Sequence, residues 1–225
     1  MRIVLVRHGE SLVNKGEVAH GSVPDHVVCL TELGREQARS VGALLGEDFV
    51  RRALLYRSPY ARTRETFDGI VSGAGVDLDA IRFYEDPRLR EVDHGYEDIE
   101  AQQDLRKAHG WFYYRYKGGE SPADCYDRVS GFVESLMRQV VRRQSMLPSS
   151  VLHPAPTPDV LVVTHGLTIR CFVMRFFHMS VEDFDGLANP RNCDMIEIAS
   201  PVDAIDKPQF ARGRWAVRGL RFRED

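Results

Sequence analysis

The chain has 225 residues, 43% hydrophobic and 28% charged, with a formal net charge of −3 at pH 7. These proportions suit one folded domain and exclude a disordered, collagen-like or fibrous chain. At this length a fold buries roughly 70–75% of the unfolded surface, so it needs no staples. The slight acidity gives no bulk attraction for nucleic acid or an anionic membrane, so any anion site has to be a local cluster of positive charge.

Ile3-Val4-Leu5-Val6 is a continuous β-branched and leucine run, the pattern of a strand covered on both faces in a parallel sheet. Residues Thr31 to Gly46 carry an apolar stripe through Leu33, Ala38, Val41 and Leu44/Leu45 and predict a helix. Ala53 to Tyr56 predicts a short strand, and Ser58-Pro59 has the form of an N-cap and N1 proline opening a helix to about Val71. Ile81 to Tyr84 predicts another short strand. Ser121-Pro122-Ala123-Asp124 is a capping box with Asp in place of Glu. It opens a long helix whose Tyr126, Val129, Phe132/Val133, Leu136/Met137 and Val140 form a core-facing stripe.

Prolines 148, 154, 156 and 158 bar regular structure between about 146 and 159, which reads as a surface insertion and not a domain linker. Val160 to Val163 repeats the buried-strand pattern, Thr168 to Phe177 predicts a helix, Asp194 to Ala199 a strand, and Phe210 to Val217 an edge strand. The expected architecture is a single-domain three-layer α/β/α sandwich over residues 1–225 with a mostly parallel sheet. No apolar run approaches the ~20 residues of a membrane span, and the N-terminus lacks a secretory pattern. Cys29, Cys125, Cys171 and Cys193 are scattered, which predicts reduced thiols in a cytoplasmic protein.

Both buried strand runs end in a His-Gly pair: Arg7-His8-Gly9 and Thr164-His165-Gly166. Ligands bind at the carboxyl ends of strands in open α/β sheets, so the two histidines are expected to share one crevice. In Arg7-His8-Gly9-Glu10-Ser11, with Asn14 beyond, the imidazole suits nucleophilic attack on an anion gripped by the guanidinium. Ser58 to Thr66 places Arg62 and Arg64 near a helix start, where free N–H groups favour phosphate, and Arg62 is the better placed. The loop from Glu85 to Gly95 offers a general acid, and charge alone leaves Glu85, Asp86, Glu91 and Asp93 as candidates.

Taken together, Arg-His-Gly-Glu-Ser followed by Asn14, the Ser-x-x-x-Arg start, Glu91 four residues before Gly95, and Thr-His-Gly resemble the histidine phosphatase superfamily, in its phosphoglycerate mutase-like branch. The resemblance runs from residue 1 to about 200. It implies a phosphoglycerate mutase-like fold and a phosphomonoesterase without metal or cofactor. In it His8 is the transiently phosphorylated nucleophile, Arg7, Arg62 and His165 complete the phosphate pocket, and Glu91 is the proton donor. Asn14 and Gly166 then contact substrate at the pocket edge. The implied partner is a small phosphate ester, with no nucleic acid or membrane, for a monomer or homodimer.

Glycolytic mutases of this family usually carry Arg directly after the acid Glu; here Val92 follows Glu91, which favours hydrolysis over phosphoryl transfer between hydroxyls. Arg115, within Trp111 to Lys117, is a candidate grip for a distal substrate anion, and its aromatic neighbours read equally as a packed lid. The alternatives are a cofactor-dependent mutase, a non-catalytic phosphate-binding module, and a metallohydrolase on His8, His94, His165 and Asp93.

Overall fold

The computed structural model describes residues 1–96, 100–146, 157–201 and 204–223. In chain order the elements are β1 (Arg2–Arg7), α1 (Leu12–Lys15), α2 (Glu32–Leu45), α3 (Glu47–Arg52), β2 (Leu54–Arg57), α4 (Ala61–Gly73), β3 (Phe83–Glu85), α5 (Gln103–His109) and α6 (Pro122–Ser145). They continue with β4 (Val160–Thr164), α7 (Gly166–Phe177), α8 (Val181–Gly186), β5 (Leu187–Ala188), β6 (Met195–Ala199), β7 (Phe210–Arg212), β8 (Trp215–Arg218) and β9 (Arg221–Phe222).

Seven strands form one sheet in the order β3-β2-β4-β1-β6-β8-β7. From β3 to β1 all neighbours are parallel. Beyond β1 the sheet turns antiparallel, through β6, β8 and β7. The expected edge strand over Phe210 to Val217 is therefore a hairpin: Gly213 takes φ of 60° at its turn, and only β7 lies at the edge. The architecture is α/β, with a parallel core and an antiparallel flank.

Side chains alternate across β1. Val4 and Val6 pack beneath α2 and α4 with Phe67, Ile70 and Val71, while Ile3 and Leu5 pack beneath α6 and α7 with Phe132, Leu136 and Phe172. Burial on both faces explains the unbroken apolar runs, each such side chain contributing about 1.5–3 kcal/mol of transfer free energy. α6 begins with the expected capping box, in which Ser121 Oγ accepts from Asp124 N at 3.1 Å and Asp124 Oδ2 accepts from Ser121 N at 2.7 Å. The proline-rich stretch lies mostly outside the described residues. At its far end the Asp159 carbonyl accepts from Leu54 N at 2.7 Å and its Oδ1 from Arg2 N at 2.7 Å, which fixes the entry into β4.

Candidate active site

β1 and β4 are adjacent and in register, with Arg7 opposite Thr164. The next residue of each chain segment is a histidine, so His8 and His165 leave the sheet side by side, their ring centroids 5.3 Å apart. Both are buried, at 4% and 0% exposure. The backbone beyond His8 is held by His8 N donating to Thr164 O at 2.9 Å and Gly9 N donating to Thr66 Oγ1 at 3.0 Å. Gly9 is required here, because a Cβ would sit 2.4 Å from the Gly34 carbonyl oxygen where the loop crosses α2.

His8 Nδ1 lies 2.8 Å from Gly9 O. A carbonyl only accepts, so Nδ1 carries the proton and Nε2 keeps its lone pair. Burial, then the charges of Arg62 and Arg7, push the imidazole pKa well below its ordinary 6.5. The ring is therefore neutral and nucleophilic at neutral pH. His165 is likewise pushed well below 6.5 by burial and by Arg62, His8, Arg128 and Arg7. Its Nε2 lies 2.8 Å from Ser58 Oγ, and its buried Nδ1 has no hydrogen-bond partner among the described residues.

This relocates Ser58. α4 starts at Ala61 with Tyr60 as its cap residue and no side-chain cap bond. The serine expected to cap the helix spends its hydroxyl on His165, where the carboxyl end of β2 delivers it. Arg62, in the first turn of α4, is 5% exposed. Its Nη1 and Nη2 donate to the Asp25 carboxylate at 2.9 and 3.0 Å, and Nη1 also reaches the Asp25 carbonyl at 2.7 Å. Arg7 donates through Nη1 to Pro190 O at 2.6 Å, and its buried Nε is unpartnered among the described residues. Burial lowers the Arg7 pKa, with Glu91 opposing.

Of the four acidic candidates, Glu91 is the one at the pocket. Its carboxylate accepts from Leu167 N at 3.4 Å in the first turn of α7, beside His165, and from Val92 N at 3.1 Å. Thr168 Oγ1 lies 3.3 Å from it and donates to Arg90 O at 2.8 Å. Glu85 and Asp86 are paired with Arg57, Arg64 and Arg88, and Asp93 Oδ1 accepts from Gly95 N at 2.8 Å. Val92 is buried in the core at 1% exposure, so this position presents no cation to a substrate. Arg64, with its guanidinium on Glu85, does not join the group.

Asn14 sits at the rim. Its Oδ1 accepts from Asn192 Nδ2 at 3.0 Å, and the same Nδ2 lies 3.1 Å from the carbonyls of His8 and Gly9. Gly166 opens α7, where an added Cβ would approach Asn189 Cγ to 3.1 Å. Arg115 stands outside the group: its guanidinium pairs with Asp124 at the start of α6, and its side chain is 64% exposed. A short-range partner in the capping box takes the charge that was expected to reach a distal anion. Of its aromatic neighbours, Phe112 and Tyr116 are buried in the core and Tyr113 is exposed. His94 packs against His20 and Tyr116 at 5.7 and 4.7 Å, not against His8. Among the described residues no group of three or more His, Cys, Asp or Glu side chains is arranged to hold a metal.

The sequence reading missed Asp25, Ser58 as a histidine partner, Thr168 and Asn192. Asp25 and Asn192 act across 37 and 184 residues of chain, and carry no local pattern.

A buried imidazole held neutral beside guanidinium groups at the end of a parallel strand is chemically suited to meet an anionic phosphate group. The model of the histidine phosphatase superfamily (branch 1) matches residues 3–204, and the chain belongs to that superfamily. It is 40% identical to the phosphoglycerate mutase-like protein AT74H of Arabidopsis thaliana over 210 residues, covering 86% of this chain and 72% of the relative. It is 28% identical to the broad-range acid phosphatase DET1 of Saccharomyces cerevisiae, over 84% of this chain and 82% of that one. The solved mycobacterial glucosyl-3-phosphoglycerate phosphatase in complex with VO3 shares the fold at a TM-score of 0.67 and 23% identity, covering 99% of this chain and 96% of that one. Among the described residues no helix is long and apolar enough to cross a membrane.

Proposed function

We propose that the chain is one domain working as a metal-independent phosphomonoesterase through phosphohistidine at His8. The observation that carries this reading is the fixed tautomer: Nδ1–H on the Gly9 carbonyl, with the ring neutral beside two arginines. The substrate phosphate enters as a dianion. Arg7 and Arg62 bind its oxygens, each charge-assisted bond contributing about 1.5–3 kcal/mol. The phosphate replaces the Asp25 carboxylate on part of the Arg62 fork.

His8 Nε2 attacks phosphorus in line. The N–P bond forms, the P–O ester bond breaks, and Glu91, acting as general acid, gives a proton to the leaving oxygen. Water then attacks phosphohistidine, Glu91 takes its proton, and orthophosphate leaves with His8 restored. Ser58 Oγ–H donates to His165 Nε2, which puts the proton on His165 Nδ1. That otherwise unpartnered donor serves the transferring group as charge builds on its oxygens. The buried, apolar Val92 supports hydrolysis over mutase chemistry, since it supplies no cation for a second anionic group. A relative named for broad-range acid phosphatase activity supports a small phosphate ester as substrate. Four free cysteines support a reducing, cytoplasmic setting.

The test is release of orthophosphate from p-nitrophenyl phosphate in excess EDTA, beside a coupled 3-phosphoglycerate assay with and without the bisphosphate. Metal-free hydrolysis that exceeds phosphoryl transfer is expected. Transfer exceeding hydrolysis, or loss of activity in EDTA restored by a divalent ion, contradicts the reading.

A further inference from the structure

β2 runs from Leu54 to Arg57 and hands Ser58 to the histidines, so its start marks the far end of the sheet, roughly 13 Å away along the strand. There a cavity of about 940 Å³ opens between the amino ends of β2 and β3 and the last turns of α6. Five arginines line it: Arg51, Arg82, Arg138, Arg142 and Arg143. In a chain of net charge −3 this is a pronounced local excess of positive charge.

Among the described residues only Arg51 of the five has a carboxylate partner, Glu47, whose Oε1 accepts from its Nε at 2.6 Å. Residues 147–156, which follow Met146 of the cavity wall in sequence, include no acid. Arg143 donates to the carbonyls of Arg52 and Ala53 at 3.2 and 3.4 Å and so ties α6 to the start of β2. Arg138 and Arg142 are one helical turn apart, a spacing at which like charges oppose the helix. The dipole at the carboxyl end of α6 accommodates Arg142 and Arg143. It does not account for Arg82, which approaches from the β3 wall. Ile81 and Tyr84 are apolar members of the lining, and the Tyr84 ring stacks on Tyr56 at 5.2 Å.

We propose that this cavity binds a small oligophosphate, two or more linked phosphate groups, at a site separate from the histidine pocket. The cavity has far more room than a single phosphate fills, and its guanidinium groups come from three separate segments: α3, the residue before β3, and α6. A phosphate chain offers an anionic group to more than one of these segments, and guanidinium forks match phosphate oxygens bidentately. The Tyr84 ring in the lining gives an organic substituent of such a ligand an apolar surface.

The test is calorimetric titration with inorganic tripolyphosphate in EDTA, on wild type and on Arg62→Ala, which disables the histidine pocket. Saturable binding near one per chain is expected in both, weakening as salt rises. The triple variant R82Q/R138Q/R142Q, whose changes are all at exposed side chains, is expected to bind at least ten-fold more weakly. It should keep wild-type circular dichroism and p-nitrophenyl phosphate turnover, while R82K/R138K/R142K retains most of the binding. An ATP arm identifies the source: equal affinity points to the phosphate chain alone, and tighter binding to use of the Tyr84 ring. Wild-type protein that takes up no tripolyphosphate at millimolar concentration, or a glutamine triple variant that binds as wild type does, overturns the proposal. Binding without any esterase activity would leave this site standing and remove the functional reading instead.

Discussion

The two ends of the sheet both gather arginines, and they treat them differently. At the carboxyl end Arg62 is buried and Arg7 half-buried, braced by the Asp25 carboxylate and the Pro190 carbonyl around two buried histidines. At the amino end Arg82, Arg138 and Arg142 are exposed and lack carboxylate partners among the described residues. Charge alone makes an anion site, but burial is what changes reactivity. Desolvation and fixed cations hold His8 neutral, and a low-dielectric pocket strengthens each contact to a developing negative charge. The exposed end offers affinity without a nucleophile.

That contrast breaks most directly at His8. His8→Ala is expected to lower kcat by at least about 10⁴-fold, since no other group in the pocket replaces the attacking nitrogen. The same assay on the amino-end triple variant should show no change, and a comparable loss there would erase the distinction between the two ends. Glu91→Gln is expected to lose about 10²–10⁴-fold on an alkyl phosphate, whose alkoxide needs a proton. In single-turnover phosphorylation it should lose far less on p-nitrophenyl phosphate, whose leaving group does not; the water step that Glu91 also serves is common to both esters. Equal single-turnover losses on both esters would remove the acid role.

Ser58→Ala sharpens the account of His165. Its imidazole stays in place with Nε2 deprived of the hydroxyl at 2.8 Å. A fall in kcat of about ten-fold with little change in KM is expected, with Ser58→Thr restoring most of it. A change confined to KM would assign Ser58 to binding.

The smallest effect is on stability. His8 and His165 have depressed pKa values in the fold, because burial disfavours their charged forms. Below about 6.5 the unfolded chain takes up protons that the folded chain refuses. Stability is therefore greatest above that pH and falls as pH drops through it, by up to about 1.4 kcal/mol per pH unit for each histidine. Urea denaturation at pH 7 and pH 5 measures the slope, and His165→Asn should remove one of the two contributions. Stability that rises on acidification would contradict the burial of neutral imidazoles.

Much of the pocket was legible because it is built at strand ends. The runs before His8 and His165 are apolar on both faces, so their burial, direction and termini could be read from residue type, and the two His-Gly pairs then fell side by side. The helix at 32–45 was readable in its bounds, since Thr31 accepts from Gly34 N at 3.0 Å and Gly46 closes it, but of its expected stripe Leu33 and Leu44 are exposed and Gly34 and Gly42 face the core instead. Ser58 was misread because Ser-Pro after a strand is a local signal for a helix cap, whereas the hydroxyl answers to a histidine 107 residues away. Asp25 was invisible for the same reason: it opens a short 3-10 turn over Asp25–Val27, and its partner Arg62 lies 37 residues on. Arg115, read from its neighbours as either a distal grip or part of a lid, pairs instead with Asp124 nine residues on, a short-range partner that the sequence reading did not weigh.

The central claim is that phosphate passes through His8. Rapid acid-free quenching of wild type with a ³²P-labelled phosphate ester, followed by peptide mapping, tests it most directly. The account predicts label on the peptide carrying His8, stable in base, lost in mild acid, and absent from His8→Ala. Steady turnover of that ester with no protein-bound label at any time, or acid-stable label on another residue, would contradict it.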